Sequence, residues 1–254
     1  MTQRWKLTIE YDGTPFMGWQ RQEHGNTVQQ VLEEAYEKMT RETDLRLHVC
    51  GRTDAGVHAV GQVAHIDLDE RYSEKEVRDA PNYHLGDWPV AILSAEKVSD
   101  DFHARFQTKK RDYRYRITCD LPTPPQLDTM RSWHIKNDLD IAAMRAGALH
   151  LLGHHDFSSF RAAQCQGKSP VKTVDKIEIS EFRDPLRPGR QILIDVRAKS
   201  FLHHQVRNFT GLLKEVGEGK RKPGDVKTIL EACDRRASGI TAPAHGLYFV
   251  RAEY

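Results

Sequence analysis

Trp5-Lys6-Leu7-Thr8-Ile9-Glu10-Tyr11 alternates apolar and polar side chains without a break, the period-two pattern of a strand that buries one face. Outward from it the period changes and then returns. After a loop from Gly13 to Gly25, Thr27 and Gln30 have the spacing of a capping box, and Val28, Val31, Leu32, Ala35 and Met39 recur at helical intervals. Leu45, Leu47 and Val49 predict a strand running into Gly51, and Ala64, Ile66 and Leu68 predict the next one. Ser73 and Glu76 cap a short helix that Pro81 is expected to disturb, and a strand follows from Val90 to Val98. The order is β-α-β-β-α-β.

The second half repeats this grammar with longer connections. A strand carries Tyr113, Tyr115 and Ile117, and Pro122, Pro124 and Pro125 break the chain. Asp138 is read as the cap of a helix bearing Ile141, Met144, Leu149 and Leu152, stopped by Gly153. Strands centre on Ile177 with Ile179 and on Ile192, Ile194 with Val196, joined by a turn from Asp184-Pro185 to Gly189. Val206, Phe209, Leu213 and Val216 mark a helix ending at Gly217; a short helix spans Val226 to Leu230, and Leu247 to Val250 reads as a closing strand. The expectation is an α+β protein of two tandem ferredoxin-like (RRM-like) units, residues 1–104 and 105–254, forming a mostly antiparallel sheet with helices on one side. Such a sheet offers a long face to RNA. The aromatic RNP1 consensus of RNA-recognition motifs is absent, however, so topology alone does not establish binding.

With 254 residues, 39% hydrophobic and 29% charged, the chain can bury one substantial core or two small ones, which excludes disordered and fibrous classes. No apolar run approaches the ~18 residues that span a bilayer, and Met1-Thr2-Gln3-Arg4-Trp5-Lys6 lacks a signal peptide's apolar stretch; a soluble cytoplasmic protein is expected. Cys50, Cys119, Cys165 and Cys233 are scattered, which suits reduced packing residues better than disulfides or zinc. There is no G-x-G-x-x-G, and Gly167-Lys168-Ser169 resembles a P-loop end except that Ala162 holds the earlier glycine position. G-x-S-x-G and H-E-x-x-H are absent. The neighbours His154-His155 and His203-His204 are expected to diverge and lack a cysteine or acid at ligand spacing, so no metal is expected.

The 38 Lys and Arg against 36 Asp and Glu leave +2, too little to argue for a polyanionic partner. Locally the balance differs. Between His103 and Arg116 stand Arg105, Lys109, Lys110, Arg111, Arg114 and Arg116 against Asp112, interleaved with Phe106, Tyr113 and Tyr115. Cations that hold phosphate beside rings that stack on unpaired bases make a candidate nucleic-acid surface, with Arg105, Lys109, Lys110 and Arg111 as its backbone contacts. A solvated edge strand has the same composition. The Gly51-Arg52-Thr53-Asp54-Ala55-Gly56-Val57-His58 turn has two glycines and an alanine, which let backbone or a substrate ring come close to Asp54. An aspartate in such a turn is either a cap for nearby amides or a reactive carboxylate, and its company decides.

That company resembles a known family. Tyr11-Asp12-Gly13, Gly18-Trp19-Gln20-Arg21-Gln22, Gly51 to His58, Asp101-Phe102-His103-Ala104-Arg105-Phe106, Tyr113-Arg114-Tyr115, Asp156-Phe157-Ser158-Ser159-Phe160-Arg161 and Phe201-Leu202-His203-His204-Gln205-Val206-Arg207-Asn208 resemble, in order, the motifs of the TruA-type tRNA pseudouridine synthases. They cover nearly the whole chain. One departure is that the family usually has Leu-Pro where this chain has Leu85-Gly86. The resemblance implies the pseudouridine synthase fold and isomerisation of uridine to pseudouridine on the 3′ side of the tRNA anticodon stem-loop, positions 38–40. It also implies a cytoplasmic homodimer without cofactor or metal. Residue by residue, it implies Asp54 as the catalytic nucleophile, Tyr113 as the tyrosine against the target base, and Arg52 and Arg207 as the two site arginines.

The chemistry fits. The reaction breaks the C1′–N1 bond, turns the bound uracil and joins C5 to C1′, moving neither electrons nor phosphoryl groups. A carboxylate can attack the ring or the sugar, or abstract a sugar proton. The uridine must leave the helix, so a pocket with an aromatic wall is expected, where burial disfavours a carboxylate unless a cation offsets it. Arg207 is the cation expected to do so: at ~4 Å and an effective dielectric near 20 the attraction is about 4 kcal/mol before desolvation. Arg52 suits a phosphate or the vacancy left by the flipped nucleotide. Two other readings use the same residues: a catalytically silent tandem RNA-binding protein, and a carboxylate-dependent nucleoside hydrolase in which water takes C1′.

Overall fold

The computed structural model describes residues 1–163, 165, 167, 169–185 and 189–254. Lys168 and the middle of the Asp184–Gly189 turn lie outside the described residues. Two compact units emerge, Met1–Lys109 with Tyr248–Tyr254, and Lys110–Leu247. Among the described residues no helix is long and apolar enough to cross a membrane.

The first unit runs β1 (Thr2–Tyr11), α1 (Val28–Thr40), β2 (His48–Val49), β3 (His58–Asp69), α2 (Glu74–Leu85) and β4 (Val90–Val98). β1 sits between β3 and β4, antiparallel to both, with Leu7 opposite Ala64 on one side and Ala95 on the other. Its alternation works as expected: Trp5, Leu7 and Ile9 are fully buried. β2 is shorter than the Leu45–Val49 alternation implies, because only His48 and Val49 pair, opposite His65 and Ala64.

Pro81 does not break α2. A proline lacks the N–H that would bond the carbonyl four residues back, Val77, but the buried Tyr36 hydroxyl on α1 donates to that oxygen at 3.0 Å. The helix therefore continues to Leu85 behind a complete Ser73/Glu76 capping box. Gly86 ends it at φ 58°, a left-handed value that a proline cannot adopt.

The second unit holds β5 (Lys110–Cys119), β6 (Trp133–Ile135), α3 (Ile141–Ala148), β7 (Gly153–Asp156), β8 (Val171–Phe182), β9 (Arg190–Ala198), α4 (Gln205–Gly217) and α5 (Asp225–Glu231). β5, β9, β8 and β7 form an antiparallel sheet in that order, and β6 joins β5 in parallel. The α3 cap is Asp140 rather than Asp138: Asp140 accepts the Ala143 N–H at 2.9 Å, while Asp138 accepts that of Leu139. The α-helix ends at Ala148, followed by a 3-10 turn, which leaves Leu149 exposed instead of in the core. β10 (Leu247–Glu253) reads in sequence as the close of the second half, yet its Tyr248 and Phe249 pair in parallel with His58 and Ala59 of β3.

Candidate active site

The turn that carries Asp54 is held by main-chain bonds on every side within the first unit. Cys50 N donates to Val63 O at 2.7 Å and Trp19 N to Thr53 O at 3.1 Å, while Val57 N closes the turn on Asp54 O at 3.1 Å. That closing bond is backbone to backbone and leaves the carboxylate out of it. Gly13 and Gly18 permit the approach: a Cβ at Gly13 would lie 2.1 Å from Val57 O, and one at Gly18, which has φ +92°, 2.7 Å from Thr53 O. Below the turn, the Tyr11 and Thr53 hydroxyls share a buried 2.7 Å hydrogen bond. Gln62 Nε2 donates to Gly51 O at 2.9 Å and to the Tyr11 oxygen at 3.4 Å. Burial pushes the Tyr11 phenol up to about 12, its hydrogen bonds to Thr53 and Gln62 opposing the rise, so it holds its proton. Asp54 is left half-buried between buried Thr53 and exposed Ala55.

Arg52 is exposed and has no hydrogen-bond or ion-pair partner among the described residues. Partial burial and then the like charge of Arg105 lower its pKa. Two guanidiniums that repel each other are an arrangement that a phosphate relieves.

In the second unit, Tyr113, Tyr115 and Ile117 share one face of β5. Tyr115 and Ile117 are fully buried, and the face leaves the core at half-buried Tyr113, whose ring meets Phe201 edge-on at 5.2 Å. The Tyr115 hydroxyl donates to Pro243 O at 2.7 Å. Burial raises its pKa, and the Arg207 charge opposes the rise. Arg207, in the first turn of α4, donates from Nε to Ala242 O at 2.8 Å, and Ala242 N returns a bond to Arg207 O at 3.1 Å. Asn208 donates to Phe160 O at 2.8 Å and accepts from Arg235 and Thr241. The Phe201–Asn208 motif thus starts a helix whose polar residues tie it to the 239–243 segment and to the buried Phe157–Phe160 turn.

The basic strand is less free than its composition suggests. Lys110 pairs with Asp175 at 2.7 Å, and Arg111 donates to the Lys199 carbonyl. Arg114 grips Asp195 with two bonds of 2.7 and 2.9 Å, and Arg197 grips Asp112 with two of 2.6 and 2.8 Å, each pair directly opposed across β5 and β9. Of the four expected backbone contacts, Arg105 and Lys109 are exposed, and Lys110 and Arg111 are half-buried.

Residues 7–107 and 148–254 match the profile of a family described as tRNA pseudouridine synthase. The chain belongs to this tRNA pseudouridine synthase family. A protein named tRNA pseudouridine synthase A from Paramagnetospirillum magneticum is 53% identical over 251 residues, covering 99% of this chain and 95% of that one. Proteins of the same name from Rhodospirillum centenum and Brucella ovis are 51% and 49% identical, covering 99% of this chain and 100% and 98% of theirs.

Sequence reasoning assigns no roles to the supports of the Asp54 turn. Tyr11 and Gly13 are visible only as members of a motif, and Gln62 carries no signal. A histidine trio escapes it as well: nitrogens of His48, His65 and His103 gather within 4.8 Å. It is poorly suited to an ion. His65 Nδ1 accepts the Ala104 N–H at 3.2 Å and His103 Nδ1 that of Arg105 at 3.1 Å. A neutral imidazole accepting at Nδ1 carries its hydrogen on Nε2, so neither ring has a lone pair to give. Of the adjacent pairs, His154 and His155 bond Thr173 and the Leu152 carbonyl. The His203 and His204 rings, expected to diverge, lie 4.0 Å apart, and His204 takes a left-handed conformation at φ 64°.

Proposed function

We propose that this chain isomerises uridine to pseudouridine in the anticodon stem-loop of tRNA, at the 3′-side positions 38–40, with Asp54 as nucleophile. The observation that supports the reading is the Asp54 turn: its backbone is fixed by main-chain bonds and a buried Tyr11–Thr53–Gln62 network, and it presents a half-buried aspartate. The ionised carboxylate takes up C1′ or the uracil ring as the C1′–N1 bond breaks, and departs when C5 bonds C1′. C5 then surrenders its proton to a base and N1 gains one, so substrate and product are isomers and no redox partner enters.

Each remaining residue has a role in this scheme. Arg207 serves as the second site arginine, its guanidinium oriented by the Ala242 carbonyl. Tyr113 holds the flipped base, which suits a half-buried ring braced edge-on by Phe201. Arg52, with no partner of its own among the described residues, takes a phosphate or the place of the displaced nucleotide. Arg105 and Lys109 contact the RNA backbone, with Lys110 and Arg111 contributing less because Asp175 and the Lys199 carbonyl already engage them. The enzyme works as a cytoplasmic homodimer, a state that sedimentation at working concentration tests.

One assay decides among the readings: unmodified tRNA tritiated at uracil C5, with chelator and without ATP. Isomerisation releases tritium to water and leaves the RNA chain intact. A silent RNA-binding protein releases none, and a hydrolase liberates free uracil; either result overturns the proposal.

A further inference from the structure

Phe106 is 74% exposed, in a stretch from Ala104 to Arg111 that holds Arg105, Lys109, Lys110 and Arg111 and no acid. Its neighbours in the chain are cations, the mixture of exposed ring and positive charge that suits an unpaired base beside its phosphates. Its ring is also well braced. The His103 imidazole lies 4.2 Å from it at a 39° tilt, and the Arg105 guanidinium lies 5.8 Å from the ring centre.

The segment beneath is rigid. Gln107 N donates to His103 O at 3.1 Å, Gln107 Oε1 accepts the His103 N–H at 3.2 Å, and Gln107 Nε2 reaches Asp101 O at 3.0 Å. Phe102 and Ala104 anchor it in the core. The amide of Arg105 occupies His103 Nδ1, so the ring turns an Nε2–H donor outward from that bond. The charge of Arg105 also acts on Arg52, two residues from Asp54.

We propose that Phe106 and His103 form a stacking platform for an unpaired base of the RNA substrate, with Arg105 and Arg52 as the neighbouring phosphate contacts. The proposal rests on the RNA-modifying function above and names a residue that function did not assign. A duplex hides its base faces, so an exposed ring selects a nucleotide that is already unpaired or has been displaced with the target. A phenylalanine cannot read base edges, so the platform tolerates different bases beside the modified uridine.

The test uses full-length protein and an unmodified anticodon stem-loop tritiated at uracil C5, measuring equilibrium binding across a salt series, single-turnover tritium release and sedimentation. Phe106→Ala is expected to weaken binding about five- to a hundredfold with an unchanged salt slope, since it removes no charge. Phe106→Tyr is expected to recover most of that loss, whereas Arg105→Ala should lower the salt slope by about one unit or less. Wild-type affinity in Phe106→Ala, or a tyrosine variant as weak as the alanine one, overturns the platform. So does a loss of binding that tracks a shift to a smaller sedimenting species, which makes the ring a contact between copies of the chain. If wild-type protein shows the Phe106-dependent binding but releases no tritium, the platform stands and the isomerase reading fails.

Discussion

Tyr36→Phe removes one oxygen from a core that is otherwise unchanged, and its cost depends on a residue 45 positions away in sequence, Pro81. The Tyr36 hydroxyl is the donor found at the Val77 carbonyl, which Pro81 cannot serve. A typical net hydrogen bond contributes about 0.5 to 1.5 kcal/mol, but a buried acceptor left with nothing costs about 1 to 3 kcal/mol. Both partners here are buried, so about 2 kcal/mol is expected from the phenylalanine change, read as a shifted urea midpoint at unchanged m-value. Pro81→Ala restores a main-chain donor to the same oxygen. In that background the cost of Tyr36→Phe should fall below about 0.5 kcal/mol, a coupling that a double-mutant cycle isolates. Equal costs in both backgrounds would refute the claim that the tyrosine substitutes for the missing amide.

Further outcomes follow from the site. Tyr113→Phe should bind the stem-loop nearly as wild type does, whereas Tyr113→Leu should lose part of the ~1 to 3 kcal/mol typical of base stacking. If the phenol accepts or relays the C5 proton, Tyr113→Phe also slows single-turnover release, and equal rates would leave the hydroxyl only a packing role. Lys109→Ala should flatten the salt dependence of binding more than Lys110→Ala, because Lys110 already pairs with Asp175; equal slopes would show that the ion pair opens on RNA. His65 ties stability to pH. Burial, then the charges of His48 and Arg4, push its pKa down to about 4 from an unfolded value of about 6.5, so the folded state binds fewer protons between those values. Its contribution is complete above about pH 6.5 and is lost as pH falls toward about 4; His65→Asn should lose less stability on acidification, as urea unfolding at pH 7 and 4.5 would show.

What can be read from sequence follows the range of the interaction that decides each feature. β1 is plain because every second residue faces one core, and α1 because Thr27 and the Val28, Val31, Leu32, Ala35 stripe are local signals. Pro81 misleads because the donor that rescues α2 comes from another helix. Asp138 and Asp140 are both good caps by type, and only the backbone of Ile141 onward chooses between them. The basic run looks bare because its counter-ions, Asp175 and Asp195, arrive from β8 and β9. Within the site, Asp54 stands out through its glycine-flanked turn, but its Tyr11–Thr53–Gln62 support and the Arg207–Ala242 clasp join residues far apart in the chain. No local period encodes those contacts.

The proposed role of Asp54 as nucleophile is tested most directly by Asp54→Asn, which keeps the size of the side chain and removes its charge. The measurement is single-turnover tritium release from C5-tritiated tRNA at saturating enzyme, with equilibrium binding on the same preparation. The account predicts no detectable release and an affinity close to wild type, because phosphate contacts away from the turn supply most of the binding. Substantial release from the Asp54→Asn protein, shown free of wild-type contamination and deamidation, would contradict it.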